Sequence, residues 1–281
     1  MTTYLVLQGP ALNDSKAANV ADATAGQLIR RNHFYKLALP APLSGDELVA
    51  LRRQYDFDIN IVPDGFNPAR AGLVIMDMDS TLVSIECIDE VADFIAVKPQ
   101  VAEITASAMR GEIDFETSLQ RRLALLIGLD DSVLQQVYDE RLALSPGAET
   151  MIAGVRRHGI KLALVSGGFT YFTDRLKTRL GLDFTLANEL KFADGKLAGL
   201  ENDIIVGARS KADFLLDVCG RLDISPDQAV AVGDGANDLL MMEQAGLSVA
   251  YHAKPTVQQQ AATALNYCGL DGVLGLLDID S

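Results

Sequence analysis

The residues of this chain best placed to do chemistry are Asp77 and Asp79, in the stretch LVIMDMDST at 73–81. A short apolar run stops abruptly at two aspartates, the pattern of a buried strand with a polar end. Strand side chains alternate, so both carboxylates are expected to leave the strand end on the same side. Two such carboxylates repel each other and resist desolvation unless a proton or a cation sits between them. A hard, oxygen-seeking ion such as Mg²⁺ suits that arrangement. A bare DxD also reads as an ordinary acidic strand cap, so the pair alone leaves the choice open.

Three further stretches bear on that choice. The run 162–165 ends in Ser166-Gly167-Gly168, which offers a hydroxyl and free N–H groups to an oxyanion. The run 229–232 ends in Gly233-Asp234-Gly235-Ala236-Asn237-Asp238. There Asp234 is a third oxygen ligand for an ion at Asp77. Asn237 can donate to a phosphate, and Asp238 can hold a metal-bound water, orient a lysine or cap the next helix. Lys211 lies between these runs, and its charge can hold buried carboxylates or neutralise a phosphoryl group. Each piece alone also fits an ordinary turn or a solvated surface.

The elements that must position them follow from hydrophobic patterning. Strands are expected at 4–8, 34–39 and 58–62, and helices at 14–30 and 46–55, the second capped by Ser44. The loop 63–70, with Pro63, Gly65 and Pro68, divides this first α/β unit from the rest. After the strand that carries Asp77 come four helical stretches, 88–97, 101–109, 115–127 and 131–140, with no strand between them. Strands and helices then alternate. Helices are expected at 148–158, 170–180, 211–220 and 238–244, and strands at 160–166, 184–187, 229–232 and 247–251. A hairpin over 189–197 turns at Asp194-Gly195. Such alternation implies an α/β fold, a mostly parallel Rossmann-like sheet with helices on both faces. The helical tract is then an insertion after the first core strand, a cap over the strand ends where ligands bind. The expected division is a small N-terminal α/β domain at 1–70 and a core at 71–281 with its cap at about 85–145.

In the order DMDST, VSGG, Lys211, GDGAND, the chain resembles the haloacid-dehalogenase-type phosphohydrolases from about Leu73 to Tyr251. The resemblance implies Mg²⁺ dependence, with Asp77, Asp79 and Asp234 as the metal set and Asp79 offering its main-chain carbonyl. It implies that Asp77 attacks phosphorus and that Asp79 protonates the leaving oxygen, then activates water. Ser166, Gly167 and Lys211 would cover the phosphoryl oxygens. The N-terminal unit weakly resembles ACT-type amino-acid-sensing domains, one strand short of their usual order; a docking or dimerisation role is the reading preferred for it.

The cap should choose the ester. Glu86 follows the first core strand closely enough to reach back into the cleft. With each helical residue advancing by ~100°, Leu119, Arg122 and Leu126 fall at roughly 40°, −20° and 20° from Phe115, so Arg122 lies on the apolar stripe and Arg121 off it. An inward arginine needs an anionic partner, either a substrate carboxylate or a cap acid such as Glu112 or Glu116. The cap, including Met109, Gly111, Phe115 and SLQRRL, resembles that of the phosphoserine phosphatases. On that resemblance Glu86 binds an amino group, Arg122 a carboxylate, and Phe115 and Met109 line the pocket. The rivals are another phosphatase or phosphotransferase of the superfamily, or a silent amino-acid-binding regulator.

Bulk properties agree. The net charge of −14 argues against nucleic acid or an anionic membrane as partner. Three cysteines, Cys87, Cys219 and Cys268, lack disulfide or zinc spacing and read as reduced thiols in a cytoplasm. No apolar run is long enough for a bilayer, and the N-terminal sequence does not read as a signal peptide. The partner expected is a small-molecule substrate, and a homodimer is left open.

Overall fold

The computed structural model describes residues 3–280, apart from the side chain of Met109. The pocket-lining role expected of Met109 lies outside the described residues. The first segment runs β1 (Tyr4–Gln8), α1 (Asp14–Thr24), β2 (Gln27–Arg30), β3 (Tyr35–Ala38), α2 (Gly45–Arg52) and β4 (Asp58–Ile61). Its strands pair antiparallel in the order β2-β3-β1-β4, the β-α-β-β-α-β arrangement of ferredoxin-like units. The single helix expected over 14–30 is therefore corrected. It ends at Thr24, and the strand thought missing is β2. The cause is local: Ala25 takes φ 49°, and the Gly26 N–H returns to Ala21 O at 2.9 Å, closing the helix with a left-handed cap. Ser44 caps α2 as expected, and Glu47 reaches back to complete a reciprocal capping box.

The second sheet begins with β5 (Leu73–Asp77), whose five residues are all buried. The insertion follows as α3 (Cys87–Phe94), α4 (Lys98–Met109), α5 (Phe115–Ala124) and α6 (Ser132–Glu140). Then come α7 (Ala148–Arg157), β6 (Lys161–Phe169), α8 (Thr170–Leu180), β7 (Phe184–Asn188) and a hairpin of β8 (Leu190–Ala193) and β9 (Lys196–Leu200). The chain closes with α9 (Ala208–Leu222), β10 (Ala229–Gly233), α10 (Leu239–Gln244), β11 (Leu247–Tyr251), α11 (Pro255–Gln258), β12 (Thr263–Leu265) and α12 (Gly272–Leu276). Six parallel strands stand in the order β12-β11-β10-β5-β6-β7. The chain winds outward from β5 in both directions, so the carboxyl ends of β5, β6 and β10 meet at the switch point.

The insertion leaves and returns by two strands of chain that lie side by side. Val83 bridges Leu144, the Ser84 N–H donates to Ala143 O, and the Ser145 N–H donates to Leu82 O, both at 2.9 Å. The helices α3–α6 thus form a cap on paired linkers.

The two sheets are fastened by buried polar groups. The Asn60 side chain donates to Ala264 O at 2.8 Å and accepts the Ala264 N–H at 2.9 Å. The Asp58 carboxylate accepts three consecutive N–H groups, from Asn266, Tyr267 and Cys268, at 2.7, 3.1 and 2.9 Å. Successive N–H groups make an anion-binding nest, and here a carboxylate of the first sheet fills it. All three cysteines are free and buried. Among the described residues no helix is long and apolar enough to cross a membrane.

Candidate active site

Asp77 is the last residue of β5. Its Oδ1 accepts the Met78 N–H at 2.8 Å and lies 2.7 Å from Lys211 Nζ. Beyond it the chain folds into a π-type turn over Met78–Leu82, closed by the Val83 N–H on Met78 O, with Ser80 at φ 54°. Irregular turns of this kind recur at functional sites. The strand therefore does not continue to Asp79, and alternation along a strand is not what aims the two aspartates. Asp79 is carried by the turn instead. Its Oδ1 accepts the Cys87 N–H at 2.8 Å, and its Oδ2 accepts the Ser166 hydroxyl at 3.2 Å. Ser166 Oγ in turn accepts the Gly168 N–H at 2.8 Å. Thus β5, the cap's first helix and the end of β6 meet on one carboxylate.

Lys211 lies in the first turn of α9 and is fully buried, as is Asp238. The ammonium stands 2.7 Å from Asp77 and 2.7 Å from Asp238. Asp238 also accepts the Gly235 N–H at 3.1 Å, so of the roles open to it the structure gives it lysine orientation and turn capping together. Burial opposes the lysine's charge, but Asp238 and Asp77 outweigh it and raise its pKa. Gly233 is required here: a Cβ on it would fall 2.3 Å from Asp238 Oδ2. Asp234, at the end of β10, accepts the Thr81 hydroxyl at 3.3 Å. Asp77, Asp234 and Asp238 each bring a carboxylate oxygen within 4.8 Å of the others. Asn237 is half-buried on the same turn, and among the described residues no hydrogen bond of its side chain joins it to the network.

The cluster is electrostatically loaded. Burial, then Asp238, raises the Asp77 pKa well above the carboxylate range, with Lys211 opposing. Burial, then Asp238, pushes Asp234 up to about 6. Such a donor set of hard oxygens with excess negative charge fits a divalent cation.

From the cap, Glu86 accepts the Ser80 hydroxyl at 2.6 Å while its side chain stays open to solvent at the cleft. The protein around its carboxyl, and then Asp79, push its pKa to about 7. Arg122 is half-buried on α5 and adjacent Arg121 is exposed, as the stripe requires. Burial lowers the Arg122 pKa, and the fields of Asp89, Glu86 and Asp79 oppose that. Among the described residues no carboxylate lies within 4.0 Å of its guanidinium; Glu112 is taken by Arg110 at 2.7 Å. Phe115 closes over the Ser166–Gly168 turn. A Cβ on Gly167 would lie 2.5 Å from its ring, so only glycine fits beneath it.

One buried residue was not found from the sequence. Asn188, 3 % exposed at the end of β7, donates to Gly167 O at 2.9 Å and accepts the Val206 N–H at 2.8 Å. It ties the Ser166–Gly168 turn to the chain leading into α9 and Lys211. The only signal was an asparagine at a strand end, which turns commonly carry.

These charges give a pH dependence with a definite sign. Asp234 and Glu86 titrate at about 6 and about 7 in the fold, against roughly 4 when unfolded. Between those values the native state binds more protons, so their contribution to stability is lost as pH rises through 6–7. A divalent ion held by Asp77 and Asp234 would replace the proton on Asp234. Thermal unfolding is expected to show a larger Mg²⁺-induced rise in Tm near pH 8 than near pH 5. An equal rise at both would mean that the ion does not bind Asp234.

A haloacid dehalogenase-like hydrolase family profile matches residues 72–246. The chain belongs to that family, and it is an enzyme of the phosphatase kind. Within the family it falls among the phosphoserine phosphatases: it is 49 % identical over 224 residues to the phosphoserine phosphatase of Polaromonas sp. (strain JS666 / ATCC BAA-500), covering 78 % of this chain and 95 % of that one. A crystal structure of a HAD family hydrolase from Salmonella enterica serovar Typhi superposes with a TM-score of 0.90 at 34 % identity, over 98 % of this chain and 99 % of that one. A solved phosphoserine phosphatase described as a phospho-aspartyl intermediate analogue superposes with a TM-score of 0.68 at 37 % identity, over 73 % of this chain and 97 % of that one.

Proposed function

We propose that this protein hydrolyses O-phospho-L-serine to serine and phosphate, the step that completes serine biosynthesis, with Asp77 as the nucleophile. The observation that carries the reading is the meeting of two sets of groups at one cleft. The core supplies the Asp77–Lys211–Asp238 chain of contacts at 2.7 Å. The cap supplies an arginine with no ion-pair partner among the described residues and a glutamate above the same turn. Arg122 would take the substrate carboxylate in a forked contact, and Glu86 its ammonium.

Asp77 Oδ1 is already held by Lys211 and the Met78 N–H, so Oδ2 is the oxygen assigned to attack. A bond forms from Oδ2 to phosphorus while the bond to the serine oxygen breaks, and Asp79 gives that oxygen its proton. Asp79 then takes a proton from water as the water oxygen attacks phosphorus and the Oδ2–phosphorus bond breaks, returning both aspartates to their starting state. Ser166, the Gly167 N–H, Lys211 and Asn237 would hold the phosphoryl oxygens. Splitting one hard displacement into two easier ones is what the covalent step contributes.

The donor set fits Mg²⁺, which would be held by the Asp77 and Asp234 carboxylates and the Asp79 main-chain carbonyl, and when bound it supplies charge screening and Lewis acidity at the phosphoryl group. The partner is a small molecule, and the three buried thiols suit a cytoplasmic setting.

The test is a panel of phosphoserine, phosphothreonine, phosphoethanolamine and glycerol phosphate, with and without Mg²⁺. Phosphoserine is expected to exceed phosphoethanolamine, which lacks the carboxylate, by about tenfold or more in kcat/KM, with activity lost on chelation. Equal rates across the panel would remove the proposed substrate.

A further inference from the structure

The reacting carboxylate is 5 % exposed and Ser166 and Lys211 are fully buried. The Phe115 ring packs directly on Gly167. For an ester to reach a carboxylate this enclosed, the cap would have to part from the core. The paired linkers at 83–86 and 141–145 are one place to bend, but the cap has a second backbone attachment. The segment after α5 pairs with the β8–β9 hairpin: Gly128 N–H donates to Leu197 O at 2.8 Å, Leu197 N–H to Leu129 O at 2.8 Å, and Asp131 N–H to Gly195 O at 3.2 Å. Asp130 bridges Lys196, and their side chains form an ion pair at 2.9 Å. Leu197 is 2 % exposed and Leu129 5 %, so the contact is sealed by apolar side chains.

Three backbone hydrogen bonds with a buried apolar seam are costly to break at each turnover. The attachments of the hairpin to the core are of a different kind. Its root at Asn188 is the end of β7, paired with Phe169 of β6 and fixed by side-chain contacts to Gly167 and Val206, and beyond Leu200 the chain runs without regular structure to Ala208. On this side Tyr171 also donates an exposed side-chain hydrogen bond to Gln135 of the cap at 2.9 Å.

We propose that the β8–β9 hairpin belongs mechanically to the cap. It moves with α3–α6 as one body when the cleft opens, and bending is confined to the linkers and to the hairpin's own roots near 189–190 and 200–205. The inference rests on the reading that the cleft admits a phosphate ester. Its consequence is that the segment following α5, the helix that carries Phe115 and Arg122, keeps its backbone partner in both open and closed states.

The flanking hydrogen bonds make Asp130 and Lys196 a non-hydrogen-bonded antiparallel pair, whose Cα atoms stand about 4.5 Å apart, within disulfide reach. The experiment is the double variant Asp130→Cys/Lys196→Cys in the full-length protein, assayed oxidised and reduced with phosphoserine. The reduced form reports on the proposed activity, and the oxidised-to-reduced ratio reports on the coupling. Turnover is expected to agree within about twofold between the two forms. A loss of about tenfold or more on oxidation, reversed by reductant, would show that hairpin and cap must separate. Hydrogen exchange on the unaltered protein gives a second reading, which decides the matter should the reduced variant be inactive. The Gly128 and Leu197 amides are expected to exchange as slowly as those within the hairpin; markedly faster exchange would overturn the proposal.

Discussion

Asp77→Asn is expected to remove turnover of phosphoserine by about 10⁴-fold or more while the protein stays folded. The substitution is isosteric. Its amide oxygen can still accept from Lys211 and the Met78 N–H, so the buried contacts that fix the end of β5 survive. What goes is the negative charge that makes the oxygen nucleophilic at phosphorus. The charge is also a burden on the fold: burial and Asp238 raise the Asp77 pKa well above the carboxylate range, so a neutral side chain relieves repulsion. Metal-free Tm should therefore hold or rise as phosphate release vanishes. A large fall in Tm would mean that the lost activity is lost structure, and a rate near that of the unaltered protein would exclude Asp77 as nucleophile.

Arg122→Ala has the second largest expected effect, and it falls on recognition. The guanidinium is half-buried and has no ion-pair partner among the described residues, so its removal orphans no buried carboxylate. Charge-assisted hydrogen bonds to a substrate carboxylate contribute about 1.5–3 kcal/mol, which is roughly tenfold to 150-fold in kcat/KM. That loss is expected for phosphoserine, with a small aryl phosphate almost unaffected. Arg122→Lys should lie between, because an ammonium keeps the charge and loses the fork. Equal losses on both substrates would show that Arg122 holds the cap together and reads nothing.

Much of this was legible in the chain. The strand–helix alternation, the helical insertion after the first core strand and the meeting of Asp77, Ser166, Lys211 and Asp234 follow from strand ends sharing one edge of a parallel sheet. The hairpin turn at Asp194-Gly195 is readable because both residues take positive φ, 50° and 72°. Arg122 is readable because helical periodicity sets it apart from Arg121.

The rest depended on tertiary contacts. β2 was hidden because an Ala-rich helix runs into it with only Ala25-Gly26 as a stop. β12 is three residues long, and its side chains are all buried, so no alternation marks it. The aim of Asp79 depends on Ser80 at φ 54°, a conformation that serine adopts only under tertiary constraint. Asn188 and Asp58 have partners that are distant in sequence, Val206 and the 266–268 loop, and no local pattern announces them.

The proposed hydrolysis requires a covalent bond between Asp77 and phosphorus. Rapid quenching of the enzyme in acid during turnover of phosphoserine carrying labelled phosphate, followed by peptide mapping, tests it directly. Label is expected on the peptide containing Asp77, on that side chain, absent from Asp77→Asn and discharged as free phosphate in a chase. An enzyme turning over at full rate with no label at Asp77, or with label on another residue, would contradict it.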